Sequence, residues 1–114
     1  MKIWLDDERP RPDNDWVHCY SVNEVLTLLA NTPMEEVEVL SLDHDLGRYS
    51  RDGGDGYQVP LWMAQEEKWP QAVNVHSANT VARERMLGVV DTYGPYNRTF
   101  TWEGLGLPRS ARAA

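Results

Sequence analysis

The stretch VEVLSLDHDLG, residues 37–47, decides how the rest of the chain is interpreted. It begins with alternating β-formers, becomes apolar, and ends in two carboxylates that flank an imidazole. A buried strand of an open α/β sheet has this pattern, and such sheets bind ligands at the carboxyl ends of their strands. Asp43, His44 and Asp45 repel or hydrogen-bond one another, so placing them together without a ligand costs stability. The stretch therefore predicts a functional site.

The bulk composition limits the class of protein. With 114 residues, 41% of them hydrophobic and 25% charged, the chain is long enough for one soluble domain with its own core. No window of about 18 apolar residues is present, so we expect no membrane span. The first acid, Asp6, comes too early for a signal peptide, which predicts a cytoplasmic protein. The single Cys19 is expected to be a buried, unreactive thiol.

The balance of charge limits the ligands. The formal net charge of −7 argues against nonspecific binding to a nucleic-acid backbone, because such binding needs Lys and Arg to displace counterions. A small anionic ligand, or an RNA end held in a local pocket, is compatible with this charge.

Strands and helices alternate along the chain. The predicted strands are 2–5, 16–20, 37–42 and 72–75, and residues 96–102 alternate at period 2 as an edge strand does. Three helices are predicted, from the capping box at 21–24 to about 31–33, from about 59 to 69–70, and from 79–80 to 94–95. Such alternation implies a parallel sheet covered on both faces, with right-handed crossovers. We expect one domain over residues 1–107 and a flexible tail over residues 108–114.

Two loops have informative compositions. In residues 8–15, Pro10 and Pro12 alternate with Arg9 and Arg11, which predicts a stiff, non-helical loop that carries both Arg close to the preceding acids. Residues 48–55 are rich in Gly and Asp, a composition that fits either a mobile flap over a site or a solvated connection.

Parallel strands would bring residues together that the sequence separates widely. If strands one, three and four are parallel, their carboxyl ends meet at one edge of the sheet. The residues at these ends are Asp6, Asp7, Asp43, Asp45, His76 and Ser77. Clustered carboxylates require a cation, and an all-oxygen set suits Mg²⁺ or another divalent ion, so the four aspartates are the predicted metal ligands. The alternative is an acidic rim neutralised by Arg9 and Arg11.

Imidazoles and one arginine extend the predicted site. His76 ends the fourth strand just before the Ser77 hydroxyl and a helix amino terminus, and His44 lies between two carboxylates; either could transfer a proton near neutral pH. Arg83 falls in the first turn of the last helix, where a cation opposes the helix dipole unless an anionic ligand binds there. The alternatives are structural histidines and an arginine that points into water.

These motifs resemble those of response-regulator receiver domains. The matching residues are the acidic pair Asp6-Asp7 after strand one, Asp43 at the end of strand three, and Ser77-Ala78 after strand four. In receivers the acidic pair and the strand-three Asp hold Mg²⁺, and that Asp accepts a phosphoryl group. The resemblance implies these roles here, with Ser77 as a phosphate-sensing hydroxyl. It also implies a flavodoxin- or receiver-like three-layer sandwich with the strand order 2-1-3-4.

The sequence also departs from signalling receivers. The Arg-Pro loop replaces the first helix, and the receiver lysine is not found, because Lys2 precedes strand one and Lys68 ends a helix. The whole set is more similar to a divergent branch, the cyclic-phosphate-processing receiver-type domain, over about residues 3–86. The motifs that carry this similarity are WLDD at 4–7 with Arg9-Pro10, LDHDLG at 42–47, and HSAN at 76–79 with Arg83, Arg85 and Met86.

This resemblance implies a function. A metal-dependent phosphoesterase would open cyclic phosphates of nucleotides or RNA 2′,3′-cyclic ends. The candidate catalytic residues are Asp43, His44 and His76, and the candidate substrate-binding residues are Arg9, Ser77, Asn79 and Arg83. One alternative is a receiver-like phosphoacceptor or phosphoryl-ligand-binding switch domain without turnover. Another is a haloacid-dehalogenase-type phosphatase with Asp43-x-Asp45 as its nucleophile motif, although that fold normally carries the motif on its first strand.

Overall fold

The structure is a computed structural model that describes residues 1–99 and 110–112 of the chain. Within these ranges the chain forms six strands and three α-helices. In chain order they are β1 Lys2–Leu5, β2 Trp16–Cys19, α1 Val22–Asn31, β3 Val39–Leu42, α2 Gln58–Glu66, β4 Ala72–Val75, α3 Thr80–Tyr93, β5 Tyr96–Thr99 and β6 Ser110–Arg112. None of the described helices is long and apolar enough to cross a membrane.

Two helices begin at capping residues that the sequence indicated. The Ser21 hydroxyl accepts the N–H of Glu24 at 3.3 Å, and the Glu24 carboxylate accepts the N–H of Tyr20 at 3.1 Å. At the start of α3, the Asn79 side chain accepts the N–H of Ala82 at 3.1 Å. Each cap satisfies a backbone donor that the first helical turn leaves free, and is worth about 1 kcal/mol.

The first four strands form a parallel sheet in the order β2-β1-β3-β4, which confirms the predicted receiver-like α/β fold. The register places Trp4 beside Ser41, and Ser41 beside Asn74. On the far side of β4, β6 pairs antiparallel with β4, and β5 pairs antiparallel with β6. Because the parallel strands run in one direction, the residues that follow β1, β3 and β4 emerge at the same edge of the sheet.

The strand order decides which face each connection covers. The connections that contain α1, α2 and α3 all step in one direction across the sheet, whereas the connection from β1 to β2 steps in the opposite direction. With right-handed crossovers, the three helices cover one face and residues 6–15 cross the other. On that second face the indole N–H of Trp4 donates to the carbonyl of Arg9 at 3.1 Å. The Arg-Pro loop thus takes the place of the first helix, as predicted.

The face of the sheet that the helices cover forms the hydrophobic core. Its fully buried residues include Ile3, Leu5, Leu40, Leu42 and Val73 from the strands, and Val25, Leu29, Val59, Met63, Met86 and Val90 from the helices. Each such side chain contributes about 1.5–3 kcal/mol by leaving water. Cys19 joins this core, which confirms the prediction of a buried thiol.

The connection after β3 is fastened at its far end. It begins as a 3-10 turn over Gly47–Arg51. Asp52 then accepts hydrogen bonds from the Ser21 hydroxyl at 2.6 Å and from the Asn23 amide at 3.0 Å. These bonds hold the pKa of Asp52 below its usual range. The connection is therefore tied at Asp52 to the start of α1.

The C-terminal residues differ in part from the prediction. β5 lies at the outer edge of the sheet, as expected, and the rest of the predicted edge strand, 100–102, lies outside the described residues. Ser110–Arg112 pair with β4 as β6, in a stretch for which the sequence predicted a flexible tail. Without β6, the N–H and C=O groups of β4 on the edge away from β3 would lack strand partners. Such an open edge favours pairing even with a segment as short as β6.

Candidate metal and phosphate site

A cleft of about 310 Å³ opens at the carboxyl ends of β1 and β3. Its lining residues are Asp6, Asp7, Glu8, Arg9, Asp43, Asp45, Gly47 and Ala78. All four aspartates that were predicted as metal ligands therefore line one cleft, together with Arg9. The other predicted site residues, His44, His76, Ser77, Asn79 and Arg83, are not among the lining residues.

Three of the aspartates form a close cluster. Asp6, Asp7 and Asp43 each offer a carboxylate oxygen, and these oxygens all lie within 4.8 Å of one another. Burial raises the pKa of Asp43, and the negative charge of Asp6 raises it further. Asp45 lies outside this group, because its carboxylate contacts His44 instead. The cluster is therefore a concentration of negative charge that a divalent cation would relieve.

Asp6 is the most enclosed member of the cluster. Its Oδ1 accepts the N–H groups of Glu8 and Arg9, each at 2.8 Å, and its Oδ2 lies 3.0 Å from Nε2 of His76. Burial by itself would raise the pKa of Asp6, but the hydrogen bonds from His76, Glu8 and Arg9 outweigh it, so that the pKa lies below its usual range. Asp6 is consequently held as a carboxylate.

A chain of buried polar groups stands behind Asp6. The Asn74 amide N–H donates to the Ser41 hydroxyl at 3.1 Å, that hydroxyl lies 2.7 Å from Nδ1 of His76, and Nε2 of His76 bonds to Asp6. The imidazole also stacks on the Trp4 indole, with ring centroids 3.8 Å apart and an interplanar angle of 1°. The imidazole of His76 therefore contacts the cleft through the Asp6 carboxylate.

The directions of these bonds follow from the donors present. A carboxylate can only accept, so Nε2 of His76 carries a hydrogen and donates it to Asp6. Because Asn74 donates to Ser41, the Ser41 hydroxyl is free to donate its own hydrogen to Nδ1 of His76. Asn74 Oδ1 is buried and has no hydrogen-bond partner among the described residues, and such an atom costs free energy. The hydrogen bonds therefore link Asn74 to the Asp6 carboxylate through Ser41 and His76.

His44 occupies a different environment. Its Nδ1 lies 2.8 Å from Oδ1 of Asp45, and its Nε2 lies 3.5 Å from Oδ2 of Asp55. The side chain is 21% exposed, against 7% for that of His76. Of the two predicted proton-transfer groups, His44 is the more accessible from solvent.

The predicted phosphate-binding residues divide into two groups. Arg9 lines the cleft, and one of its Nη atoms donates to the carbonyl of His76 at 2.7 Å. Ser77 and Asn79 use their side-chain oxygens locally, to accept the N–H of Asn79 and of Ala82 respectively. Arg83 is half-buried on α3, and its guanidinium forms no hydrogen bond or ion pair with a described residue. Among the residues that the structure describes, only Arg9 contributes a cation to the lining of the cleft.

Two glycines permit the close approach of the loops that build the cleft. Gly47 has φ +54°, and a Cβ there would lie 2.8 Å from Oδ2 of Asp7. A Cβ on Gly56 would lie 1.8 Å from the backbone oxygen of Asp43. Both positions therefore require a residue without a side chain.

Sequence reasoning missed Trp4, Ser41 and Asn74 as members of the site. The signal for two of them is present in the sequence. Ser41 and Asn74 are polar residues inside strands that are otherwise apolar, and a polar residue inside a buried strand needs a hydrogen-bond partner. Trp4 has no such signal in the sequence. It reaches His76 because of the way β1, β3 and β4 align side by side in the sheet.

The donor set of the cluster fits a divalent cation. Asp6 Oδ1 uses both of its lone pairs on backbone N–H groups. Among the described residues Oδ2 accepts only from His76, which leaves it one lone pair. Asp7 and Asp43 add further carboxylate oxygens. Two or three carboxylates completed by water are typical ligands of Mg²⁺. Asp6, Asp7 and Asp43 are thus able to hold such an ion.

The sheet order and the acidic cleft at its carboxyl edge define the class, a receiver-like α/β domain. The chain belongs to the family described as Cyclic-phosphate processing Receiver domain, whose family model matches residues 1–92. This match confirms the resemblance seen in the sequence, and the description of the family connects the domain with the processing of cyclic phosphates. No curated protein and no solved structure matched the chain.

Proposed function

We propose that this protein is a metal-dependent phosphoesterase that opens cyclic phosphates of nucleotides or RNA ends. The observation that carries the proposal is the juxtaposition of three carboxylates and Arg9 in one cleft. The carboxylates would bind a metal cation, and this cation and the Arg9 guanidinium would both contact the phosphate. Either positive charge alone would be too weak to hold a phosphate beside so many carboxylates. The family description supports a cyclic phosphate as the substrate.

Asp6, Asp7 and Asp43 are the residues that would hold Mg²⁺ in this proposal. When bound, the ion supplies Lewis-acid polarisation of a phosphoryl oxygen and orientation of water. The chain's own contribution is to keep Asp6 ionised and fixed through His76, Ser41 and the backbone.

Arg9 is the residue assigned to the nonbridging phosphate oxygens. The chain contains only two lysines, Lys2 and Lys68, and these lie near Trp16 and Trp62, away from the cleft. Arg9 has a charge that persists at all physiological pH values, and a guanidinium with several donors. One Nη is committed to His76, so the rest of the fork remains for the ligand.

The reaction consumes one water. Its oxygen forms a bond to phosphorus, one bond between phosphorus and a ribose oxygen breaks, and that ribose oxygen takes up a proton. We assign the proton transfer to His44, because its side chain is more exposed than that of His76, and its two ring nitrogens face the carboxylates of Asp45 and Asp55, with which they can exchange a proton. His76, whose ring stacks on Trp4 and whose side chain is only 7% exposed, becomes a positioning residue in this proposal instead of the predicted acid or base.

The test follows cytidine 2′,3′-cyclic phosphate by phosphorus NMR with purified protein and Mg²⁺. We expect a phosphomonoester product, loss of turnover with a chelator and in Asp7→Asn, and normal turnover in Asp15→Asn. Asp7 suits this test because it is half-buried and its side chain forms no hydrogen bond with another described residue. The exposed Asp15 lies at the opposite end of the sheet. Full turnover by Asp7→Asn would remove the cluster from the mechanism.

The alternative of a switch domain without turnover has its own outcome. Incubation with acetyl phosphate and Mg²⁺ would then leave a long-lived phosphoryl group on Asp43, detected by mass spectrometry, and no cyclic phosphate would be opened. The absence of a lysine near the cleft makes this alternative the weaker one.

A further inference from the structure

Three aromatic rings and one guanidinium form a ledge beside the cleft. The His18 and Tyr20 rings stack with centroids 4.3 Å apart and an interplanar angle of 11°. Tyr20 and Tyr49 are 5.5 Å apart, and the Arg48 guanidinium lies 5.1 Å from the centre of the Tyr49 ring. We call these four residues the aromatic ledge. His18 lies in β2, Tyr20 directly follows it, and Arg48 and Tyr49 lie in the turn after β3, so the fold brings the four residues together.

The ledge is joined to the cleft at two points. Nε2 of His18 donates to the backbone carbonyl of Asp6 at 2.8 Å, and Asp6 is a member of the carboxylate cluster. On the other side, Gly47 lines the cleft and directly precedes Arg48. A ligand whose phosphate lies in the cleft would therefore have the ledge beside it.

The aromatic ledge is exposed to solvent, and only part of it packs against the hydrophobic core. Tyr20 is 40% exposed and Arg48 is exposed. Tyr49 packs partly against the core, whereas Tyr20 and His18 do not belong to it. An exposed aromatic stack contributes little to folding, but its ring faces and the guanidinium plane are the surfaces on which nucleobases stack.

We propose that the aromatic ledge binds the base of a nucleoside or RNA cyclic phosphate, so that the enzyme selects substrates that carry a base over cyclic phosphates that lack one. This inference rests on the proposed function, because it assumes that the phosphate lies in the cleft. Every base has a π-face, so aromatic stacking tolerates all of them. The ledge therefore predicts that substrates with a base are preferred to substrates without one, and that the identity of the base matters little.

The experiment compares cytidine 2′,3′-cyclic phosphate with ribose 2,3-cyclic phosphate, which has no base. Tyr20→Ala should lower kcat/KM for the nucleotide about tenfold or more and leave that for the ribose compound unchanged. Tyr20→Phe keeps the ring and should retain the preference. Tyr93→Ala removes a tyrosine that is 66% exposed at the end of α3 and serves as the control.

A binding measurement separates the two proposals. Calorimetry with cytidine 3′-monophosphate and ribose 3-phosphate, in the presence of Mg²⁺, reports on the ledge even if no cyclic phosphate is turned over. Loss of the nucleotide's advantage in Tyr20→Ala supports the ledge. Equal affinities of the wild type for both compounds, or an undiminished advantage in a folded Tyr20→Ala, would overturn it, and turnover by the wild type would then leave the proposed function standing.

Discussion

The hydroxyl of Ser41 lies 2.7 Å from Nδ1 of His76, in the interior of the sheet face that the Arg-Pro loop crosses. Ser41 is fully buried, so neither water nor another side chain is available to replace this contact easily. The bond fixes the plane of the imidazole whose other nitrogen holds Asp6. A residue that never touches the cleft thereby sets the orientation of a predicted metal ligand.

Ser41→Ala tests this arrangement. The change leaves the Asn74 amide and Nδ1 of His76 without a partner, and we expect it to lower the free energy of unfolding by about 1–3 kcal/mol, as measured by urea denaturation. We also expect Mg²⁺ affinity, measured by calorimetry, to fall about 10- to 100-fold. This is the usual effect of removing a residue that orients a metal ligand by hydrogen bonding. Thr27→Ala removes an exposed hydroxyl of α1 and should change neither quantity greatly. Unchanged metal affinity in a folded Ser41→Ala would contradict the positioning role.

Asp43→Asn should stabilise the protein without metal and abolish its response to metal. The pKa of Asp43 is raised by burial and by Asp6, so the native state binds a proton more readily than the unfolded chain does. This carboxylate therefore reduces stability at neutral pH, and stability is regained as pH falls through the raised pKa towards the usual value of 3.8. Removal of the charge should therefore raise the free energy of unfolding at pH 7.

Thermal denaturation with and without Mg²⁺ measures both effects of Asp43→Asn. The wild type should gain stability from the ion, and the variant should start from a higher melting temperature and gain little. Asp15→Asn again provides the control. A variant that melts below the wild type in the absence of metal would show that the charge of Asp43 is already compensated within the protein.

Cys19 should be unreactive in the native protein. Burial, and to a smaller degree the charge of Glu24, raise the pKa of this thiol from 9.0 to about 12, and the thiolate is the reactive form. A thiol reagent at pH 8 should therefore label Cys19 rapidly only in denaturant. Because the native state keeps its proton longer than the unfolded state, stability should also fall as pH rises above about 9. Rapid stoichiometric labelling of the folded protein would contradict the buried placement.

Gly56→Ala and Gly88→Ala form a matched pair. A Cβ at Gly56 would lie 1.8 Å from the Asp43 backbone oxygen, so we expect a loss of at least about 1–3 kcal/mol in the free energy of unfolding. Gly88 lies within α3, and a Cβ there meets nothing within 4 Å. Because Ala is the better helix former, Gly88→Ala should stabilise by up to about 1 kcal/mol. Chemical denaturation of both variants checks the contrast, and equal effects would contradict the close packing at Gly56.

The fold was predictable because several local signals agreed. Capping residues at Ser21 and Asn79 marked two helix starts, and the two prolines after Arg9 excluded a helix between the first strands. The convergence of Asp6 with Asp43 followed from the parallel direction of their strands. A strand at residues 110–112 was not predictable, because its pairing with β4 is long-range and its own sequence carries little β signal.

The inner part of the site was harder to predict than its carboxylates. His76 looked like a proton donor at the end of a strand, and only the register of Trp4, Ser41 and Asn74 shows that its ring is enclosed. The aromatic ledge was hidden for the same reason, since His18 and Tyr49 are 31 residues apart and meet only through Tyr20. Local patterns specify strand ends, whereas side-chain partners across a sheet depend on how the strands align.

Pro10 and Pro12, the two prolines that flank Arg11, also reduce the entropic cost of binding a phosphate at Arg9. They restrict the backbone beside Arg9 in every state of the chain. The Arg9 guanidinium donates to the carbonyl of His76, and the backbone N–H of Arg9 donates to the Asp6 carboxylate. Arg9 is therefore already ordered before a phosphate binds. Phosphate binding to Arg9 loses less conformational entropy than phosphate binding to a flexible lysine side chain would.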